Sequence, residues 1–183
     1  MGTNRPESPN TTAARPLAAR DAGGLVDFAS LWNEHAPDVH RFALFLTADP
    51  TLADDLTSET FVRAWGARER VDLATVRAYL LAITRNLFRH ELRRARRREV
   101  PLAAGDEMPA SGASPERAAV VRDELERVLR ALQELPESDR EALLLRAEGG
   151  LAYDEIARTL GLSLSAVKVK IHRARLRLAA ARS

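Results

Sequence analysis

The side chains of this 183-residue chain that could do chemistry are its four histidines, its 26 carboxylates and its 28 cationic groups. His35 and His40 stand five positions apart, off a common helical face, and His90 and His172 are isolated, so no metal-ligand spacing forms. The chain has no cysteine, which excludes a thiolate nucleophile, a disulfide framework and Cys-ligated clusters. No glycine-rich phosphate loop and no nucleophile elbow occurs, and the scattered Ser and Asp read as caps and surface residues. An enzyme is therefore not expected, nor a cofactor or a metal.

Cation chemistry remains. The net charge of +2 conceals a sharp segregation along the chain. Residues 77–98 carry eight Arg against Glu91 alone, and residues 160–183 carry Lys168, Lys170, Arg173, Arg175, Arg177 and Arg182 against no acid. The stretches on either side of the first block, 1–76 and 99–159, are net acidic. Two compact basic blocks separated by acidic chain suit two separate contacts with a polyanion. The alternative, a pair of solvated helix faces, does not need positive charge this pure. The preference for Arg over Lys (26 to two) together with abundant Ala fits a GC-rich genome and says little about function.

The elements that must carry these blocks read as helices. Residues 1–24, rich in Pro, Gly, Thr, Asn and Ala without periodicity, are expected to be a disordered arm. Apolar residues then recur at three- and four-residue spacing through Phe28, Leu31 and Trp32, and through Val39, Phe42, Ala43 and Leu46. Asp49–Pro50 marks a turn, Leu52–Trp65 a second helix closed by Gly66, and Val76–Arg98 a long helix whose last turns are almost wholly Arg. Pro101–Pro115 is aperiodic and rich in Pro, Gly, Ser and Ala, a flexible linker. Helical register returns in Ala118–Leu135, with Pro136 at a first helical position ahead of Ala142–Arg146. Nothing alternates with period two. The expected fold is all-α: two small helical domains, 25–100 and 118–183, joined by a linker at 101–117.

The last forty residues have the form of a helix-turn-helix. Tyr153–Leu160 supplies the first helix, Gly161 the tight turn, Leu162 a plug beneath it and Ser163 an N-cap. Val167, Ile171, Ala174 and Leu178 make the apolar stripe of the second helix. Ser165, Lys168, Val169, His172 and Arg173 then point outward, where a recognition helix meets base edges, with Lys170, Arg175 and Arg177 flanking them for phosphate contact.

At these residues the chain resembles the bacterial extracytoplasmic-function (ECF) sigma factors, the dissociable promoter-specificity subunits of RNA polymerase. Leu135-Pro-Glu-x-x-Arg-x-Ala-Leu-Leu-Leu145, Tyr153-x-Glu-Ile-Ala-x-x-Leu-Gly-Leu-Ser163, Val167-Lys and His172-Arg-Ala-Arg175 are similar to their C-terminal promoter-binding domain. His40-Arg-Phe-Ala, Ala53-Asp-Asp-Leu-x-x-Glu-Thr-Phe-Val-Arg-Ala-Trp65 and Tyr79-Leu-x-x-Ile-x-Arg-Asn-Leu87 are similar to their N-terminal domain. The resemblance covers 27–98 and 118–180 in the expected order. It implies core-polymerase contacts at Asp54, Asp55, Glu59, Phe61 and Arg63, with Trp65 structural. It implies reading and opening of the minus-ten element by Asn86 and by Arg85, Arg89, Arg93, Arg94, Arg96 and Arg97, on the melted non-template strand. It implies minus-thirty-five readout in duplex DNA through Ser165, Lys168, Val169, Lys170, His172, Arg173 and Arg175. No stacking aromatic stands out in the loop Arg70–Val76, where the family holds a flipped base, and no pocket residue is assigned there.

The departures are Ser58 in place of a usual Gln, His90 in place of a common Asp, Ala166 in place of a frequent Thr and Val169 in place of a frequent Ser. The last two mean that promoter preference cannot be copied from relatives. The partners implied are core RNA polymerase, promoter DNA and an anti-sigma factor. A stand-alone DNA-binding regulator is the competing reading, but it has no need of the basic helix at 77–98 or of the acidic helix ending at Trp65. The N-terminal arginines lack the apolar stretch of a secretory signal, no run is long enough to span a membrane, and no C-terminal sensory extension is expected. A cytoplasmic bacterial protein without membrane insertion follows.

Overall fold

The computed structural model describes residues 28–67, 75–98 and 115–181, and among them every regular element is an α-helix. In chain order these are α1 (Phe28–Thr47), α2 (Pro50–Gly66), α3 (Val76–Arg98), α4 (Pro115–Gln133), α5 (Glu137–Ala147), α6 (Tyr153–Leu160) and α7 (Leu164–Ala180). The expected arm at 1–24, residues 101–114 of the expected linker, residues 70–74 of the loop and the side chain of Arg98 lie outside the described residues.

Local chemistry sets most boundaries. Asp49 is extended and its carboxylate accepts from the Leu52 amide at 3.1 Å, while Pro50, which has no amide to leave unpaired, opens α2. Helix α3 has the bounds that its apolar stripe predicts. Other boundaries differ from expectation: α2 opens at Pro50, two residues before Leu52, and α4 ends at Gln133, two before Leu135. Helix α4 begins at Pro115, three residues before Ala118, because proline is well placed in a first turn. Pro136 is the N-cap of α5 and not its first residue, and α5 runs from Glu137, so the carboxylates Glu137, Asp139 and Glu141 are helical.

Helices α1, α2 and α3 pack on one another. Phe42, Leu46, Phe61, Leu80 and Leu81 are fully buried among them. An aromatic cluster closes one end: the Trp32 and Phe61 centroids are 4.7 Å apart, and Phe28 meets Trp65 edge-on at 5.6 Å. Between α2 and α3 the buried hydroxyls of Thr60 and Thr84 stand 3.0 Å apart, each also near the carbonyl four residues back.

In the C-terminal half α7 lies against α5 and α6, burying Leu145, Ile156, Val167, Ile171 and Ala174. Gly161 closes α6 at φ +66°, a left-handed conformation that costs glycine nothing. The two halves share a contiguous apolar core, and α1 also touches α4 and α5. The turn after α5 sits close to α3: a Cβ on Gly149 would lie 3.0 Å from Leu81 Cδ1 and 2.5 Å from the Leu145 carbonyl oxygen.

Candidate nucleic-acid interface

Helix α3 sorts its cations onto different sides. His90, Arg93, Arg94 and Arg97, at positions i, i+3, i+4 and i+7, are exposed and line a pocket of about 180 Å³ on one face. Among the described residues Glu91 tempers that face, 3.4 Å from His90 Nδ1 and 3.7 Å from Arg94. A concave cluster of cations along a helix suits consecutive phosphates of a strand. Asn86 is exposed one turn before it, its side-chain oxygen 3.4 Å from Arg85 Nη1.

Arg85, Arg89 and Arg96 of α3 turn toward the C-terminal half. Arg85 is buried, and its Nε and Nη2 both lie 3.0 Å from Glu141 Oε2, while its Nη1 donates to the Thr159 carbonyl at 3.0 Å. Arg96 reaches Glu137 at 2.9 Å and Arg89 stands 3.8 Å from the same carboxylate. Burial pushes the Glu141 carboxyl above its ordinary range, the Arg85 guanidinium working against that shift. Burial likewise lowers Arg140, whose guanidinium lies over the Phe88 ring at 5.9 Å. Arg85 is thus not an open phosphate contact in this arrangement, contrary to the expectation from sequence, because the carboxylate of a neighbouring helix holds its guanidinium.

The second cationic site is built on α7. The Ser163 hydroxyl accepts from the Ala166 amide at 3.2 Å, the cap that its position promised. Val167, Ile171 and Ala174 are buried, which leaves Ser165, Lys168, Val169, His172, Arg173 and Arg175 exposed on the opposite side. Ser165, Ala166, Val169, Lys170 and Arg173 line a shallow groove of about 370 Å³. Lys170 is a correction to the expected phosphate set. It is half-buried, with Nζ 2.7 Å from Ser138 Oγ and 3.3 Å from Asp139 Oδ1, because buried Asp139 needs a counter-charge. Arg173 also donates to Asp139 Oδ1, at 3.0 Å, but its side chain remains half exposed.

The acidic helix α2 divides similarly. Asp54, Asp55, Glu59 and Arg63 are exposed, with Asp54 3.1 Å from His40 Nε2 and Glu59 paired to Arg63 at 2.7 Å. Phe61 is a second correction: it is wholly buried against Trp32, where it holds α2 on α1 and offers nothing to a partner. A groove of about 440 Å³ between α1 and α2, lined in part by Trp32, Pro37, His40, Asp54 and Ser58, is the concave surface on this side.

Sequence reasoning missed the carboxylates Glu137, Asp139 and Glu141, which read only as part of an acidic stretch. Their alternation directly after Leu135-Pro136 was the available signal. Arg41 and Arg77 were missed as well. Arg41 Nε reaches Glu148 at 2.6 Å, a contact that raises its pKa, and Arg77 donates to the Glu148 carbonyl at 2.7 Å.

Both halves of the chain are similar to known proteins. Residues 31–98 match the model of Sigma-70 region 2 and residues 125–178 that of Sigma-70 region 4. The chain is 35% identical over 145 residues to the ECF RNA polymerase sigma factor EcfG of Rhodopseudomonas palustris, covering 79% of this chain and 78% of that protein. It is 35% identical over 178 residues to the RNA polymerase sigma factor CnrH of Cupriavidus metallidurans, covering 92% and 93%. The crystallised sigma factor RpoE of Bartonella quintana, in complex with the anti-sigma factor NepR, superposes with a TM-score of 0.70 at 26% identity over 86% of this chain and 97% of that one. CnrH in complex with the cytosolic domain of CnrY superposes at 0.64 with 30% identity, over 90% and 92%.

Proposed function

The chain belongs to the ECF RNA polymerase sigma factors, and from that membership we propose that it binds core RNA polymerase, directs it to specific promoters and helps open the DNA there. The observation that carries the reading is the pairing of two family regions, in order, with two helices that each expose a row of cations. One chain with a strand-sized cationic face on α3 and a major-groove-sized face on α7 suits two promoter elements at once. A stand-alone regulator needs the second face alone.

The functional units are residues 25–100, for polymerase docking and the minus-ten element, and residues 118–183, for the minus-thirty-five element. Asn86 with Arg93, Arg94 and Arg97 would take the melted non-template strand. Ser165, Lys168, Val169, His172 and Arg173 would read base edges in duplex DNA, with Arg175 on phosphate. Asp54, Asp55, Glu59 and Arg63, on the rim of α2, would dock on the polymerase. The chain supplies specificity and the polymerase supplies the chemistry. RpoE and CnrH were each crystallised with a regulatory partner, NepR and CnrY, and a partner of that kind fits this chain too. No helix among the described residues is long and apolar enough to cross a membrane, and a factor acting on polymerase works in the cytoplasm.

The test is run-off transcription with purified core polymerase on the promoter upstream of the protein's own gene. Specific transcripts that need this protein, and vanish with Lys168→Ala plus Arg173→Ala, are the expected result. Tight duplex binding by the protein alone, with no transcript, would instead favour the stand-alone regulator.

A further inference from the structure

Arg173 and Lys170, one turn apart on α7, converge on a single buried oxygen. Asp139, 1% exposed in the first turn of α5, accepts from Arg173 Nη2 at 3.0 Å and from Lys170 Nζ at 3.3 Å, both at Oδ1. Lys170 also reaches Ser138 Oγ at 2.7 Å. The second carboxylate oxygen, Oδ2, is buried without a hydrogen-bond partner among the described residues.

A carboxylate braces an arginine most firmly when both of its oxygens meet the guanidinium fork. Here the contact is monodentate. A guanidinium carries five N–H donors in a rigid plane, and the hydrogen bond to Asp139 uses one of them. The rest of the group belongs to a half-exposed side chain that lines the shallow groove with Ser165, Ala166, Val169 and Lys170. Bidentate recognition of a guanine edge needs that plane held in one orientation, whereas a phosphate accepts an arginine from many directions. A tether from α5 therefore favours the first use over the second. It also removes charge, because the carboxylate offsets one of the two cations that the groove would otherwise present to DNA.

We propose that Asp139 is a positioning residue for the minus-thirty-five element: it fixes the Arg173 guanidinium for a base edge and retains Lys170, so that this part of α7 gives sequence discrimination in place of indiscriminate phosphate affinity. The inference rests on the DNA-binding reading of α7 above. Asp139 touches no base itself and acts through Arg173. Both cations keep some exposed surface, so they turn to water or phosphate once the carboxylate loses its charge.

The test uses holoenzyme made with the full chain and two duplexes: the promoter upstream of the protein's own gene, and the same fragment with its minus-thirty-five bases exchanged. Asp139→Asn keeps the shape of the side chain and drops its charge. The variant is expected to lose about fivefold or more of the preference for the native duplex. Its affinity for the exchanged duplex should rise, and the slope of log affinity against log salt there should steepen by about 0.9 for each phosphate newly neutralised. In an Arg173→Ala background the same substitution should leave the preference unchanged, since the side chain it positions is gone. A preference left unchanged by Asp139→Asn alone, whether or not affinity falls equally on both duplexes, would make Asp139 a brace for the fold and overturn the proposal. So would a loss of preference that persists in the Arg173→Ala background. If Asp139→Asn loses its helicity, Asp139→Glu decides. That variant keeps the charge and displaces the guanidinium, so preference should fall with the salt slope unchanged, and an unaltered preference would overturn the proposal. Wild-type holoenzyme that treats the two duplexes alike would overturn the minus-thirty-five reading itself, and the positioning role with it.

Discussion

Asp139 and Glu141 stand two positions apart on α5 and hold different helices: Asp139 carries the Lys170 and Arg173 ends on α7, and Glu141 carries Arg85 on α3. Two residues of α-helix turn through about 200°, so neighbours at this spacing face opposite ways. Both carboxylates are almost wholly buried, at 1% exposure, so Asp139 is committed to the two cations of α7 and Glu141 to Arg85. Helix α5 therefore acts as a strut between the two cationic surfaces and reads nothing itself.

Opening should follow from the outer carboxylate of that strut. Glu137→Lys sets a cation against Arg89 and Arg96 at a half-exposed site, where the fold can accommodate it. The variant is expected to keep its helicity and unfolding midpoint while its radius of gyration in X-ray scattering rises. An unchanged scattering profile would mean that this contact does not hold the halves together.

Strand binding should depend on salt through α3. Replacing Arg93, Arg94 and Arg97 by Ala removes the outward cations without touching the core. Each phosphate that is no longer neutralised should reduce the slope of log affinity against log salt by about 0.7 on single-stranded DNA. Titrations of holoenzyme with minus-ten oligonucleotide at several salt concentrations give that slope, and the effects of the three substitutions should add.

Sequence discrimination at the minus-thirty-five element should reside in Lys168 and Arg173, both exposed on α7. Loss of either to Ala is expected to cost about 1–3 kcal/mol of discrimination against the wrong base. Competition between cognate and mutated duplex for holoenzyme measures this. A uniform loss across all sequences would reassign the residue to phosphate contact.

Core and docking roles on α2 should separate cleanly. Phe61→Ala removes a fully buried ring and is expected to cost about 3–5 kcal/mol in urea unfolding. Asp55→Ala changes an exposed side chain and should stay within about 0.5 kcal/mol. The second variant, and not the first, should weaken polymerase binding at unchanged stability.

Acidity should stabilise the fold through Glu141. Its carboxyl is raised in the folded protein, by burial first, with Arg85 opposing. Between the ordinary value and the raised one the folded protein binds more protons than the unfolded chain does, so the stability from this group is present below that window and is lost as pH rises through it. Urea unfolding across this range should show the trend in the wild type. Subtracting the same titration of Glu141→Gln isolates the contribution of this residue.

The helices and their outward faces were legible in the chain because each depends on neighbours within a few residues. The apolar stripe from Val76 to Arg98 fixes α3, Gly161 and Ser163 fix the turn and the cap ahead of α7, and the spacing of Val167, Ile171 and Ala174 decides that Lys168 and Arg173 face out. Charge segregation marked the two helices that expose rows of cations. What the chain alone left open is which of those charges are spent inside the protein. Arg85 and Arg93 look alike in a run of arginines, and so do Lys168 and Lys170. Their difference comes from Glu141 and Asp139, 56 and 31 residues distant, brought alongside only when α5 packs between α3 and α7. Phe61 likewise reads as part of an acidic docking helix until Trp32 and Phe28 close over it. Periodicity is a local property and survives in one dimension. Pairing of charge and burial of a ring are set by long-range packing, so the tertiary structure decided which cations remain free for DNA.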